Sequence, residues 1–247
     1  MTQSIETKVA LVTGASGGIG AETARRLARD GFTVIVNYAG GVAPAEAVVR
    51  EIEAAGGKAI TAQADVSDPA AVRRLFDHAE AAFGGVDVLV NNAGIMKLAN
   101  IADTDDALFD QTIAVNLKGV FNTLREAARR LRDGGRIINI SSSVVGLLPA
   151  TYGVYAASKA AVETLSAILT KELRGRSITV NAIAPGPTAT RLFLDGKPAE
   201  VVERLSKAAP LERLGQPEDI AAAIAFLAGP DGAWVNGQVI RVNGGIV

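Results

Sequence analysis

Val9-Ala10-Leu11-Val12-Thr13 runs directly into Gly14-Ala15-Ser16-Gly17-Gly18-Ile19-Gly20, and these twelve residues together decide the architecture of the chain. The first five are a short apolar run, the pattern of a strand buried on both faces. Behind the glycines, residues 21–30 carry a helical pattern that stops at Gly31. Strand, glycine loop and helix start form the frame of a dinucleotide site. Glycine permits the tight turn and the close approach of backbone to pyrophosphate, and the free N–H groups of the helix start face the anion. Gly14, Gly18 and Gly20 follow a G-x-x-x-G-x-G spacing, distinct from the more familiar G-x-G-x-x-G. The spacing alone leaves a purely structural turn open; the strand and helix around it favour nucleotide binding.

The same alternation continues outward. Strand patterns occupy residues 32–37, 58–64, 86–90, 136–140, 177–183 and 238–242. Helical patterns fall between them, at 44–55, 69–83, from Asp103, Asp105 and Asp106 to about Arg132, at 155–174, and from Pro217 to about 228. Ser67-Asp68-Pro69 is a helix start, with a capping residue and Pro at the first position; Gly56-Gly57 and Gly84-Gly85 are stops. Seven strands alternating with helices predict an α/β fold: one doubly wound Rossmann-type domain over residues 1–247, with a parallel seven-stranded sheet and helices on both faces. Residues 188–209 mix Leu192, Phe193 and Leu194 with Gly196 and Pro198, the composition of a lid over a pocket.

Composition excludes several classes of function. Hydrophobic residues are 49% and charged residues 21% of the 247, which suits a large core and not a disordered chain. A net charge of -1 without a basic block argues against nucleic acid and anionic membrane as partners. There is no cysteine and a single histidine, His78, so disulfides and a Cys/His metal site are excluded. The polar N-terminus carries no signal-peptide pattern and the chain no transmembrane run, so a cytoplasmic location is expected.

Chemistry concentrates at the carboxyl ends of the strands, where open parallel sheets bind ligands. The second strand ends in neutral Asn37 followed by Tyr38-Ala39-Gly40-Gly41, where an acid would bind ribose hydroxyls and repel a 2′-phosphate. Residues 14–18 and 37–49 contain no Arg or Lys to clamp that phosphate, although the amides of Gly40 and Gly41 and the helix start at Pro44 are available. The lean is towards NADP(H), with NAD(H) left open. Ser141-Ser142-Ser143 end the fifth strand, and Tyr155 and Lys159 stand four apart on one helix face. Two unit charges about 6 Å apart at an effective dielectric near 20 interact by roughly 3 kcal/mol. Lys159 is therefore expected to lower the Tyr155 pKa by about two units and make the phenol usable near neutral pH. An isolated Tyr-x-x-x-Lys usually means a core tyrosine and a solvated lysine. Asn116, alone, reads as a buried amide bonded to its own backbone.

Thr13-Gly14-x-x-x-Gly18-x-Gly20, Asp65, Asn91-Asn92-Ala93-Gly94, Asn116, Ser142, Tyr155-x-x-x-Lys159 and Pro185-Gly186, in this order over nearly the whole chain, resemble the shorter branch of the short-chain dehydrogenase/reductase family. The resemblance implies hydride transfer between nicotinamide and a carbonyl or secondary alcohol. Tyr155 would be proton donor or acceptor, Ser142 would hold the oxygen, and Lys159 would bind the nicotinamide ribose. Asn116 would hold a water linking Lys159 to solvent. It also implies that Gly14, Ser16, Gly18, Ile19 and Gly20 lie along the pyrophosphate and adenosine. Asp65 and Val66 would border the adenine, Asn92, Ala93 and Gly94 the adenosine and ribose, and Ile183, Pro185, Gly186 and Thr188 the nicotinamide. Gly17 stands where many NADP-using relatives carry Arg.

The expected substrate pocket, from Met96, Val144, Leu147, Tyr152, Leu192 and Phe193, is mostly apolar and carries no fixed charge. It suits an uncharged ketone, an acyl chain or an open alcohol. Overall similarity points to 3-oxoacyl thioester reductases; an NAD-dependent alcohol or sugar dehydrogenase is the alternative, and a nucleotide sensor without turnover has no need of the four-residue set. Arg129, Arg130 and Arg132 form either a docking site for an acidic acyl carrier protein or a solvated helix end. By resemblance the chain is a homotetramer, with one seam on the helix carrying Ala156, Ala157, Ala160 and Ala161 and another on residues 234–247.

Overall fold

The computed structural model describes residues 7–247, so the reading of the first six residues falls outside the described part. Seven strands, β1 (Val9–Val12), β2 (Thr33–Tyr38), β3 (Lys58–Gln63), β4 (Val86–Asn91), β5 (Leu131–Ile140), β6 (Thr179–Pro185) and β7 (Val239–Val242), form one sheet in the order 3-2-1-4-5-6-7. Every neighbouring pair is parallel. The helices are α1 (Gly18–Arg29), α2 (Val42–Ala54), α3 (Pro69–Phe83), α4 (Asp106–Ile113), α5 (Gly119–Arg130), α6 (Val144–Leu147), α7 (Gly153–Glu172), α8 (Arg191–Leu194), α9 (Ala199–Ser206) and α10 (Pro217–Ala228). Because β1 lies between β2 and β4, the two halves wind outward from it and a crevice opens at their carboxyl ends.

Two apolar layers hold the sheet. Successive side chains of a strand point to opposite faces, so Ala10 and Val12 pack with Val36 and Val90 beneath α1, α2 and α10, where Leu27, Val48 and Ile224 are buried. Val9 and Leu11 face the other way, with Ile35, Leu89 and Ile137 against Phe76 of α3, Leu124 of α5 and Val162 of α7. Each fully buried Leu or Ile contributes roughly 1.5–3 kcal/mol relative to exposure, which makes register errors in the central strands costly. The start and stop signals read from sequence operate as expected at α3: the Asp68 side chain accepts from the Ala70 N–H at 2.8 Å, Pro69 follows, and Gly84 ends the helix at φ 75.

Two expectations change, and one element is new. The helix expected from Asp103 to about Arg132 is divided into a 3-10 turn (Ile101–Asp103), α4, a π-helical turn (Ala114–Lys118) and α5. The wide turn coincides with close packing: a Cβ on Gly119 would meet Val66 Cγ2 at 2.6 Å, so the helix rests on β3's exit without a side chain. Such turns recur at functional sites, and this one holds Asn116. β5 begins at Leu131 rather than Arg136, through a register shift opposite residues 86–88. A short helix, α6, follows Ser143 and ends at Leu148 with φ 48.

Candidate active site

The glycine loop is built by close approach. Gly14 (φ 61) and Gly18 (φ 55) occupy the left-handed region that side chains disfavour. A Cβ on Gly14 would lie 2.8 Å from Ala93 Cα, and one on Gly20 only 2.4 Å from Asn92 Nδ2 and 2.6 Å from the Gly14 carbonyl oxygen. Gly17 caps α1 without a side-chain bond, and the space where its Cβ would stand is open to 4 Å. The N–H groups of Gly18, Ile19 and Gly20 precede the first helical bond, from Ala21 N–H to the Gly17 carbonyl. An uncapped, unobstructed helix start of this kind fits a pyrophosphate.

Polar side chains lock the loop in place. Thr13 Oγ1 accepts from the N–H groups of Asn92 (3.0 Å) and Ala93 (3.1 Å), while Asn92 Nδ2 donates to the carbonyls of Thr13 and Gly14, both at 3.0 Å. Asn37 is 1% exposed. Its Oδ1 accepts from the Gly14 N–H at 3.2 Å, and its Nδ2 donates to the carbonyls of Ala62 and Ala64, both at 3.1 Å. Every polar atom of the Asn37 side chain is thus engaged inside the fold, and the expected direct approach to a ribose is replaced by support of the glycine loop. The Tyr38 ring lies in the apolar layer under α2. Asp65 remains exposed, with Oδ1 accepting from the N–H and hydroxyl of Ser67 at 2.8 Å each.

Ser142, Tyr155, Lys159 and Asn116 come together at the far side of the crevice. Lys159 is buried, and its Nζ lies 5.8 Å from the Tyr155 ring centre and donates to the Ile140 carbonyl at 2.8 Å. Ser142 Oγ accepts weakly from the Val144 N–H at 3.4 Å, which leaves its proton for another acceptor. Asn116 is fully buried; its Oδ1 accepts from the Ile95 N–H at 2.8 Å and its Nδ2 donates to the Ile95 carbonyl at 2.9 Å. Nδ2 also donates to Ser158 Oγ on α7 at 3.4 Å, so its partners are on the segment after β4 and on α7, not on its own helix. A Cβ on Gly94 would sit 3.3 Å from Asn116 Oδ1 and 3.6 Å from Lys159 Nζ, so the amide and the ammonium border the same small volume.

The electrostatics differ from the sequence expectation. Burial pushes the Tyr155 phenol up to about 12; a hydrogen bond with Ser142 pulls the other way, and Tyr152 adds to the rise. Burial also brings Lys159 down to about 8. The expected two-unit depression of Tyr155 by Lys159 does not emerge: the phenol is raised, with burial the largest cause. Removal from water penalises both charged forms, and the lysine proton is directed at the Ile140 carbonyl. The Tyr155 phenol therefore keeps its proton at neutral pH.

Ser142, Tyr155 and Lys159 form one wall of a cavity of about 440 Å³ that reaches Ile19, Asn92 and Gly94 on one side and Pro185, Gly186 and Thr188 on the other. Met96, Val144, Leu147, Tyr152, Leu192 and Phe193 all line it. So do Leu205 and Ala208 from α9 and its exit, and Ile246 near the C-terminus. Ile246 was missed because nothing in a Gly-Gly-Ile-Val tail signals that it turns back; Asn243 causes the return, donating to Ser143 Oγ at 3.1 Å and to the Val247 carbonyl at 3.0 Å. Val66 and Ala93 pack in the core beside the crevice.

The arginines at the end of α5 and the start of β5 are engaged within the chain: Arg130 with Asp77 and Glu80 (2.7 Å each), Arg132 with Asp87 (2.9 Å) and Arg129 with Glu126 (3.8 Å). They are not a free basic patch for an acidic carrier. Among the described residues, no helix is long and apolar enough to cross a membrane.

A family model described as enoyl-(acyl carrier protein) reductase matches residues 14–247. An Arabidopsis thaliana protein named "NADPH-dependent aldehyde reductase-like protein, chloroplastic" is 48% identical over 97% of this chain and 94% of its own. A short-chain dehydrogenase from Burkholderia cenocepacia in complex with NADP superposes with a TM-score of 0.92 at 41% identity, covering 99% of both chains. A blue fluorescent protein from a metagenomic library, in complex with NADPH, does so with a TM-score of 0.92 at 39% identity, covering 99% of this chain and 100% of its own. Fold and site thus define a nucleotide-dependent oxidoreductase. The chain belongs to the short-chain dehydrogenase/reductase family.

Proposed function

We propose that this protein is an NADPH-preferring reductase of uncharged carbonyl compounds, ketones or 3-oxoacyl groups, with one domain over residues 1–247 carrying the site. The observation that carries the reading is the cavity itself. Ser142, Tyr155 and Lys159 stand on the wall of a mostly apolar space, whose other polar lining residues, such as Asn92, Thr188 and Thr190, are uncharged; no carboxylate, arginine or histidine is among its described lining residues. Such a wall favours a neutral substrate, because a charged one would lose its hydration without gaining a partner. The preference for NADPH is supported by the absence of an acid at the end of β2 and by exposed Gly40 and Gly41, which precede a helix start without a side-chain cap. The named relative that depends on NADPH and the two related structures that hold NADP or NADPH point the same way.

When bound, the reduced nicotinamide supplies the hydride. Tyr155 holds the proton destined for the carbonyl oxygen, and its raised pKa keeps that proton in place until the oxygen becomes basic. Ser142 donates a second hydrogen bond to the same oxygen, an interaction that strengthens as negative charge develops. Lys159 holds the ribose and presents a positive charge behind the phenol, and Asn116, across Gly94, serves the route by which Lys159 exchanges protons with solvent. α8, α9 and the segment between them cover the cavity as a lid.

A panel of aldehydes, ketones, a 3-oxoacyl thioester and an enoyl thioester, run with NADPH and NADH in parallel, tests the proposal. The expected result is turnover of neutral ketones, with kcat/KM for NADPH at least about tenfold that for NADH, equivalent to about 1.4 kcal/mol. Equal or better use of NADH would replace this reading with that of an NAD-dependent alcohol or sugar dehydrogenase.

A homotetramer is part of the same proposal. Phe121 on α5 and Ile168 on α7 are about half exposed, and on another side Phe226, Val239 and fully exposed Trp234 form a second apolar surface. Apolar groups of this size in two separate places suit two interfaces. Light scattering at micromolar concentration is expected to give four times the chain mass; a monomer would reject the assignment.

A further inference from the structure

Asn139, Ile140 and Ser141, at the end of β5 and just beyond it, are each bonded to α7. Asn139 Nδ2 donates to Ser166 Oγ at 2.8 Å, Lys159 Nζ donates to the Ile140 carbonyl at 2.8 Å, and Ser141 Oγ donates to Glu163 Oε1 at 2.5 Å. The periodicities explain how three consecutive residues reach one helix. Asn139 and Ser141, two apart on a strand, point to the same face, while Ile140 sends its side chain into the opposite apolar layer and offers only its carbonyl. On α7, residues 159, 163 and 166 are spaced i, i+4 and i+7, a single stripe. Tyr155 begins that stripe one turn before Lys159.

This ladder joins the two elements whose relative placement the chemistry needs. Ser142 comes from β5 and Tyr155 from α7, and both must reach one oxygen atom. Lys159 already has a chemical role, and the Asn139–Ser166 rung lies deeper, continuous with a buried Asn91 amide. Glu163 has no assigned role, yet its rung holds the residue next to Ser142, through a short hydrogen bond to a carboxylate, the stronger kind. On the other side, Ser143 donates to the Ala184 carbonyl and accepts from Asn243, both at 3.1 Å. Ser142 is thus suspended between two tethered serines.

We propose that Glu163 is a positioning residue that sets the distance from Ser142 to Tyr155 through its bond to Ser141; the inference rests on the carbonyl-reductase reading of the site. Glu163 also borders a second cavity, of about 370 Å³, shared with Ser142 and Arg241. Shortening its side chain therefore enlarges an existing polar space and does not hollow out the apolar core.

The test uses the full chain and measures kcat, KM for the ketone, and Kd for NADPH by fluorescence. Glu163→Ala and Ser141→Ala are each expected to lower kcat about tenfold, with Kd for NADPH within about twofold, because small misplacements of reacting groups carry large rate penalties. The double variant should lose no more than either single one, since both remove the same bond. Glu163→Gln, which keeps an acceptor oxygen, should recover kcat to within about threefold of the parent. Unchanged kcat in the alanine variants, losses that multiply in the double variant, or Glu163→Gln as impaired as Glu163→Ala would each overturn the proposal. If Glu163→Ala does not fold, Ser141→Ala against Glu163→Gln gives the same contrast. Tyr155→Phe in the same assays separates the two levels. An inactive Tyr155→Phe beside fully active Glu163→Ala defeats only the positioning role; a fully active Tyr155→Phe defeats the reading of the site.

Discussion

Replacing Tyr155 with phenylalanine is expected to lower kcat for carbonyl reduction by about a thousandfold, within the range that general acid catalysis contributes, while leaving NADPH binding within twofold. The substitution removes one oxygen from a side chain that is 8% exposed and packed edge-on to Tyr152, with ring centres 6.3 Å apart. The ring and the helix should stay where they are, and only the proton is lost. The same geometry sets the pH response of the parent protein. With the phenol pushed up to about 12, the donor stays loaded across the neutral range, so reduction should be flat in pH below about 8. Above that, Lys159, brought down to about 8, sheds its charge and activity should decline. Steady-state kinetics from pH 6 to 10 with a neutral ketone check both parts. A Tyr155→Phe protein that keeps more than a tenth of the parent kcat would remove Tyr155 as the proton donor.

Asn37→Asp is expected to destabilise the protein by about 3–5 kcal/mol without moving it towards NADH. An acid at the end of the second strand is the usual way to hold ribose hydroxyls, and by sequence alone position 37 is where it belongs. In the folded chain, however, Asn37 Nδ2 donates to two carbonyl oxygens, those of Ala62 and Ala64. A carboxylate would turn an anionic oxygen towards both of them in a site 1% exposed, with no cation to offset it. For a chain of this length the apparent Tm should fall on the order of 10 °C, and binding should weaken for both cofactors, because the Gly14 N–H that Asn37 holds is part of the pyrophosphate loop. A stable variant with improved kcat/KM for NADH would show that residue 37 leaves its partners to reach the cofactor.

Parts of the site differ in how legible they are from residues alone, and the reason is range. Gly14, Gly18 and Gly20 declare themselves because glycine is demanded by local backbone geometry and close contact. The pairing of Tyr155 with Lys159 follows from helical periodicity. The six mostly apolar residues expected around the substrate all line the cavity, because they cluster in the segments that follow β4, β5 and β6. Ile246 does not announce itself, since its place depends on Asn243 bonding to a serine 100 positions earlier. Asn116 reads as a helix-interior amide until the π-helical turn swings it onto Ile95. Arg130 and Arg132 read as part of a basic cluster until α3 and β4 bring Asp77, Glu80 and Asp87 to them.

What the chain determines through its sequence alone is the order of its elements, the parallel sheet, the glycine loop and the placing of Tyr155 and Lys159 on one helix face. Those follow from short-range patterns: periodicity, glycine placement and the exclusion of cysteine and charge. Tertiary structure alone decides how these residues are charged and what each is free to touch. Sequence spacing sets Lys159 near Tyr155, but the water that burial removes raises the phenol and lowers the amine, and long-range backbone partners claim Asn37 and Asn116. Desolvation and hydrogen-bond partnership depend on everything packed around a group, and no window along the chain contains that information.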